Sequence, residues 1–178
     1  KKQRTAAGEE ATAVPAGGAT EVAWSTLEGH AQCVSSVAWA GEHHLASGSW
    51  DHSVCLWDAE TGAQVSTLNA PKAVHSVAVL GDHAVVFGSS DRVLRVWDPR
   101  GKGETLNVKG YASHNGWIKS VSRCHGSEHL YATGSFDASV KLWDLRAAVP
   151  LATISDHSDK VLCTAWLGED CILSGGAD

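Results

Sequence analysis

From about residue 27 onward the chain is a succession of short stretches in which apolar residues alternate with small or polar ones, each closed by turn-forming residues. Alternation with period two predicts half-buried strands. Val34–Trp39, Val74–Val79, Ile118–Val121 and Val161–Trp166 read as first strands, followed by turns at Ala40-Gly41-Glu42, Gly81-Asp82, His125-Gly126-Ser127 and Gly168-Glu169-Asp170. Second strands are expected over His44–Ser49, His83–Ser89, His129–Ser135 and Asp170–Ser174, and third strands over Ser53–Trp57, Arg92–Trp97 and Ser139–Trp143. Outer strands follow near Gln64–Leu68, Thr105–Val108 and Leu151–Ile154. No segment has a helical period, so the expected class is all-β. Residues 1–22 differ: Lys1-Lys2-Gln3-Arg4 leads into an Ala/Gly/Thr/Glu stretch without apolar periodicity, as expected of a disordered linker or an insertion between blades.

The stretches repeat. Trp-Asp occurs at Trp57-Asp58, Trp97-Asp98 and Trp143-Asp144, spaced by 40 and 46 residues, and a further Asp stands six residues before each Trp at Asp51, Asp91 and Asp137. Asp178 falls 41 residues after Asp137, and a His stands 21 to 23 residues before the Asp in three of four units, at His30, His114 and His157. Self-similarity at this period resembles the WD-repeat family, whose units run to roughly 40–45 residues with four strands per blade. The resemblance implies a WD40 β-propeller, here about three and a half four-stranded blades within 23–178, with repeats near 27–68, 69–108, 109–154 and 155–178. The chain lacks Met and starts and stops abruptly, so its ends are expected to be breaks in a longer protein. An unclosed propeller leaves strand edges unpaired, and the isolated piece is expected to be unstable.

His30, Ser47 and Asp51 include the residue types of a nucleophilic triad. In WD repeats, however, the turn Asp accepts from the His, which meets a Ser or Thr hydroxyl and the third-strand Trp. That network satisfies polar groups that would otherwise be buried unpaired. The set recurs as His114, Thr133, Asp137 and Trp143, and again as His157, Ser174 and Asp178, with Trp57 completing the first. An active site is needed once, whereas a brace is needed in every blade. The second unit keeps only Asp91 and Trp97, with Ala70 and Phe87 at the other positions, so that blade is expected to lean on apolar packing.

Charge narrows the partners. A formal net charge of −6 disfavours phosphate-driven nucleic-acid binding, and no apolar run approaches the roughly 20 residues of a membrane span. The five cysteines show no C-x-x-C pair and are expected to be reduced and buried. His43, His44, His125 and His129 fall at turns without zinc-module spacing, and Gly101–Thr105 lacks the spacing of a phosphate loop. No metal or cofactor is expected. Trp50 and Phe136, just before the turn aspartates, and Trp117, just before a first strand, are large aromatics where binding anchors are often found.

Finer wording carries a closer resemblance over residues 24–178. Leu27-Glu28-Gly29-His30, Ser49-Trp50-Asp51-His52-Ser53-Val54, Leu94-Arg95-Val96-Trp97-Asp98-Pro99-Arg100, Leu142-Trp143-Asp144-Leu145-Arg146 and Leu173–Asp178 carry it. Together they resemble the WD-repeat subunits of Pescadillo–Bop–WD-repeat (PeBoW) complexes, a family of ribosome-biogenesis factors. That resemblance implies a propeller of about seven blades behind an N-terminal ubiquitin-like domain that meets the AAA-type remodelling ATPase midasin. It also implies docking onto a Bop-type WD-repeat protein and, through it, Pescadillo. The work would be non-catalytic, in the nucleolus and nucleoplasm, in maturation of large-subunit and 5.8S rRNA on the 60S pre-ribosomal particle. The Lys1–Arg4 cluster would suit a nuclear localisation signal. A second resemblance stays open: Trp97-Asp98-Pro99-Arg100 and Trp143-Asp144-Leu145-Arg146 look like the W-D-x-R box of cullin-4 ubiquitin-ligase substrate receptors, with Arg100 and Arg146 as adaptor contacts.

Overall fold

Three four-stranded antiparallel sheets and a two-stranded one are laid side by side in the computed structural model, which describes residues 26–101 and 107–178. Strands β1 (Val34–Ala40), β2 (His44–Ser49), β3 (Ser53–Asp58) and β4 (Gln64–Asn69) form the first sheet in chain order. The second holds β5 (Val74–Leu80), β6 (Ala84–Ser89), β7 (Val93–Asp98) and β8 (Asn107–Ala112), and the third β9 (Ile118–Arg123), β10 (Leu130–Ser135), β11 (Val140–Asp144) and β12 (Ala152–Ile154). β13 (Val161–Leu167) and β14 (Cys171–Gly176) pair alone. First strands pack on first strands and each second strand packs on the next sheet's first strand, which is the arrangement of consecutive propeller blades. The residues assigned above to a linker and to a localisation signal lie outside the described residues, as do Lys102–Leu106.

One expected strand runs on past its expected end. The outer strand of the second blade, expected near Thr105–Val108, is seen over Asn107–Ala112 and so runs on four residues past Val108, pairing Trp97 with Val108 and Val93 with Ala112; Thr105 and Leu106 lie outside the described residues. Tyr111 lies in this continuation: 2% exposed, it reaches across to the third blade, where its hydroxyl donates to the Leu145 carbonyl. Gly110 and Ala112 on either side weaken the apolar alternation that would have marked the strand. The cysteines also depart from expectation: Cys55 and Cys124 are buried, but Cys33, Cys163 and Cys171 are exposed. Cys163 and Cys171 sit on the two-stranded sheet, which has no four-stranded blade around it.

The blades meet through a repeated contact. Gly48, Gly88 and Gly134 of the second strands leave room for the next first strand, so that Val74, Ile118 and Val161 press directly against them and are fully buried. Beside each lies a hydroxyl tie between first strands. The Ser36 oxygen accepts from the Val77 N–H at 3.1 Å, Ser76 from Val121 at 3.0 Å, and Ser120 from Thr164 at 2.9 Å. Each tie gives a partner to a backbone donor of a first strand, which is the edge strand of its sheet. In all four blades the pairing of first and second strands slips at the same place, skipping Ser35, His75, Lys119 and Leu162. Such bulges re-aim a side chain near a sheet's end, and here they set His75 and Lys119 at one face of the blades.

Candidate interaction face and blade braces

In the first three blades the turn after the second strand is an Asx turn. Asp51 Oδ1 accepts from the Ser53 N–H at 2.9 Å and Asp137 Oδ1 from Ser139 at 3.0 Å, with the intervening His52 and Ala138 at φ of 71° and 63°. The other carboxylate oxygen reaches back to the histidine. His30 Nδ1 lies 2.9 Å from Asp51 Oδ2 and His30 Nε2 2.7 Å from Ser47 Oγ, while Trp57 Nε1 donates to Ser47 Oγ at 2.8 Å. The third blade repeats this at 2.8, 2.7 and 2.8 Å with His114, Asp137, Thr133 and Trp143. In the fourth, His157 lies 2.8 Å from both Asp178 and Ser174.

Donor and acceptor chemistry fixes the direction of each chain. Indole N–H can only donate, so the Ser47 or Thr133 oxygen accepts; an ionised carboxylate can only accept, so histidine Nδ1 donates. Histidine Nε2 is then an acceptor and the hydroxyl gives it its proton. Every group is satisfied by a neutral imidazole. The hydroxyl oxygens are 3% and 0% exposed by residue and already hold the indole proton, so they present no nucleophile to a substrate. Ser53 and Ser139 belong to the network too, donating to the turn carboxylates at 2.6 Å. The Asp-x-Ser spacing carries them in two blades, and the second blade has Val93 there.

In that second blade Asp91 keeps its turn role, accepting from the Val93 N–H at 3.2 Å. Its other oxygen faces Arg95 Nη1 at 2.6 Å, and the N–H is not aimed along the contact, so charge rather than directed hydrogen bonding holds the pair. Arg95 stands opposite the buried Phe87 across the β6–β7 ladder, where the other braced blades pair Ser47 with Cys55 and Thr133 with Lys141. The Arg95 guanidinium thus faces the turn carboxylate in the blade where Ala70 stands in place of a histidine. Apolar packing of Phe87 and Trp97 does the rest.

Burial pushes the Asp51 and Asp137 carboxyls upward, but hydrogen bonds from the serine hydroxyls, the histidines and the Ala31 and Asn115 N–H groups outweigh it and hold both well below the carboxylate range. Burial also lowers His114, against the opposing pull of Asp137. A histidine depressed below its ordinary 6.5 contributes stability above that pH and loses it on acidification. The aspartates contribute above their ordinary 3.8 and lose it as pH falls toward their folded values. Melting temperature should therefore fall in two stages between pH 8 and 2, the first starting near pH 6.5 and the second below about 4. Circular dichroism melts across that range check this; a melting point that rises from pH 7 to 5.5 would contradict it.

At the face where these turns lie, backbone bonds repeat in pairs: Trp50 N donates to the Cys33 carbonyl, Ser90 to Ala73, Phe136 to Trp117 and Ala177 to Lys160. Aromatic side chains from these positions form a continuous band. Trp50 meets His75 edge-on at 6.4 Å between ring centroids, His75 stacks on Trp117 at 5.7 Å, and Trp117 stacks on Phe136 at 5.5 Å. Lys160 caps the end, 5.3 Å above the Phe136 ring. Trp50 and Trp117 are 45% and 48% exposed, whereas His75 is buried with Nε2 2.9 Å from the Ser90 hydroxyl. Burial, then the Lys119 charge, keeps His75 below its ordinary value and neutral. Sequence reading singled out Trp50, Trp117 and Phe136 but missed His75, whose signal was its place in the bulge rather than its type.

Arg100 and Arg146 lie at the opposite face. Arg100 Nε and Nη2 fork onto Asp98 at 3.0 and 2.7 Å, and Arg146 makes the same fork onto Asp144 at 2.9 and 2.5 Å, holding the Asp144 carboxyl down at about 2. Each arginine thus closes its own third-strand turn while remaining exposed. Among the described residues no group of three or more His, Cys, Asp or Glu converges as a metal site.

The family model described as WD domain, G-beta repeat matches residues 23–58, 62–98 and 105–144. The second and third matched units each take the outer strand of one blade and the first three strands of the next, so each repeat laces two blades together. Proteins named "Ribosome biogenesis protein WDR12 homolog" are similar throughout. The relative from Chlamydomonas reinhardtii is 44% identical over 188 residues, taking in 100% of this chain and 41% of its own length. That from Oryza sativa subsp. japonica is 42% identical over 88% of this chain and 36% of its own, and that from Nematostella vectensis 37% identical over 100% and 42%. The chain spans about two fifths of the length of these relatives.

Proposed function

Since the chain belongs to the WD-repeat (G-beta repeat) family of propeller proteins, we propose that it serves as a non-catalytic scaffold in ribosome biogenesis. The observation that carries this is the run of relatives from green alga, rice and sea anemone, 37–44% identical and all named for that process. The geometry agrees with a scaffold. The Ser47 and Thr133 hydroxyls are buried and committed to braces, while the Trp50–Trp117–Phe136 band faces outward. In this reading the intact protein works in the nucleus and nucleolus, docking with a Bop-type WD-repeat protein and Pescadillo in maturation of 60S precursors and the large-subunit and 5.8S rRNAs. Midasin would be met by a domain outside these residues.

Affinity purification of the tagged full-length protein with mass spectrometry tests the reading. The expected companions are Bop- and Pescadillo-type proteins with large-subunit precursors, and depletion should accumulate unprocessed large-subunit rRNA. Recovery instead of the damaged-DNA-binding adaptor with cullin-4, lost on Arg100→Ala and Arg146→Ala, would overturn it. Within the proposed complex, Trp50→Ala with Trp117→Ala should lower partner recovery at least ~10-fold, as expected when two half-buried aromatic anchors are removed.

A further inference from the structure

The overall charge of −6 hides an uneven distribution. Glu42, Glu60, Asp82, Glu128, Glu169 and Asp170 are all exposed in the turns of one face, the face of Arg100 and Arg146. The aromatic band lies on the other. There the turn carboxylates Asp51 and Asp137 point inward, with side chains only 11% and 13% exposed, and Asp91 is paired with Arg95. Four cations stand outward around the band: Lys72 and Arg92 on the second blade, Lys119 beside His75, and Lys160 over Phe136. Asp156, Asp159 and Asp178 are the exposed acids at that end, with Asp178 held by His157.

We infer that this band is the seat of an acidic linear segment of a partner protein, whose apolar side chains rest on Trp50 and Trp117 while its carboxylates meet Lys72, Arg92, Lys119 and Lys160. The inference rests on the scaffold reading above and names the chemistry of what that scaffold holds. Charge complementarity supplies the occupant: an anionic chain is drawn to the banded face and repelled from the acidic one. Single-stranded nucleic acid is also anionic, but bases bind by stacking on open aromatic faces. Trp117 is already stacked against two neighbours, His75 and Phe136. The band therefore offers ring edges and apolar surface, which suit aliphatic and aromatic side chains better than a run of bases. His75, neutral and hydrogen-bonded to Ser90, spaces Trp50 from Trp117 without adding charge.

Fluorescence anisotropy on the full-length protein tests this. The probes are a short labelled peptide alternating Asp and Glu with Phe and Leu, the same peptide with Lys for every acid, and labelled oligouridine of matched length. The acidic peptide should bind, weakening as salt rises from about 0.05 to 0.3 M. Lys72→Glu, Lys119→Glu and Lys160→Glu together, exposed or half-exposed positions whose folding is checked by circular dichroism, should weaken it at least ~10-fold. Trp50→Ala should do likewise without changing the salt dependence. No acidic-peptide binding, equal binding of the lysine peptide, or tighter binding of oligouridine would each overturn the inference. If the tryptophan variants lose the natural partners while the lysine reversals do not, the scaffold reading stands and the acidic segment falls.

Discussion

Thr133→Val should destabilise the folded protein by about 2–5 kcal/mol, although it exchanges one β-branched side chain for another of nearly the same shape. The hydroxyl is the middle of a directed chain: it accepts from Trp143 Nε1 at 2.8 Å and donates to His114 Nε2 at 2.7 Å. Valine can do neither, so an indole donor and an imidazole acceptor are stranded together. Trp143 and Thr133 are both 0% exposed, and no water can easily stand in. A buried polar group left without its partner costs about 1–3 kcal/mol, and two are left here. Thr133→Ser keeps the hydroxyl and removes one methyl, which should cost under about 1.5 kcal/mol. Urea denaturation followed by tryptophan fluorescence separates the two variants. A valine variant within about 0.5 kcal/mol of the serine one would mean that the braces contribute little.

What sequence reading could see follows from what repeats. The Asp51, Asp91 and Asp137 turns, the Trp57, Trp97 and Trp143 strand ends and the His30 and His114 partners recur at set intervals, and the structure brings each set together as a blade. What did not repeat was harder. Arg95 answers Asp91 in one blade only, and its role appears once the β6–β7 register places it opposite Phe87. Tyr111 lies where the outer strand runs past Val108, and its hydroxyl finds Leu145 in another blade, 34 residues on, a pairing that no local window contains. His75 joins the aromatic band because a bulge turns it there. Ser36, Ser76 and Ser120 did recur in plain view, but their purpose lies between blades, where the acceptor oxygen of one first strand meets the N–H of the next.

The second large effect is expected from the smallest change, Gly88→Ala. Gly88 does not need glycine for its backbone angle; it needs glycine for space. A Cβ there would stand 2.4 Å from Ile118 Cγ2, 2.9 Å from Ile118 Cβ and 3.1 Å from Val121 Cγ2. Ile118 is 0% exposed and its Cβ is fixed to the β9 backbone, so relief requires the third blade to move away from the second. Overpacking of this kind costs typically about 1–3 kcal/mol, and the upper end is expected because two side chains of one strand are struck together. Gly81→Ala offers the contrast: nothing lies within 4 Å, and its φ of +59° makes the expected cost one of backbone strain, about 1–2 kcal/mol. The cause can be isolated by a cycle with Ile118→Ala, which removes Cγ2 at a cost of its own of about 2–5 kcal/mol. If the blades collide as described, the double variant should be at least about 1 kcal/mol more stable than the sum of the single effects predicts. Simple additivity would place the fault elsewhere. Because His75 and Trp117 reach the aromatic band from these same two blades, Gly88→Ala should also weaken acidic-peptide binding, whereas Gly81→Ala, at the far end of the blade, should leave it unchanged.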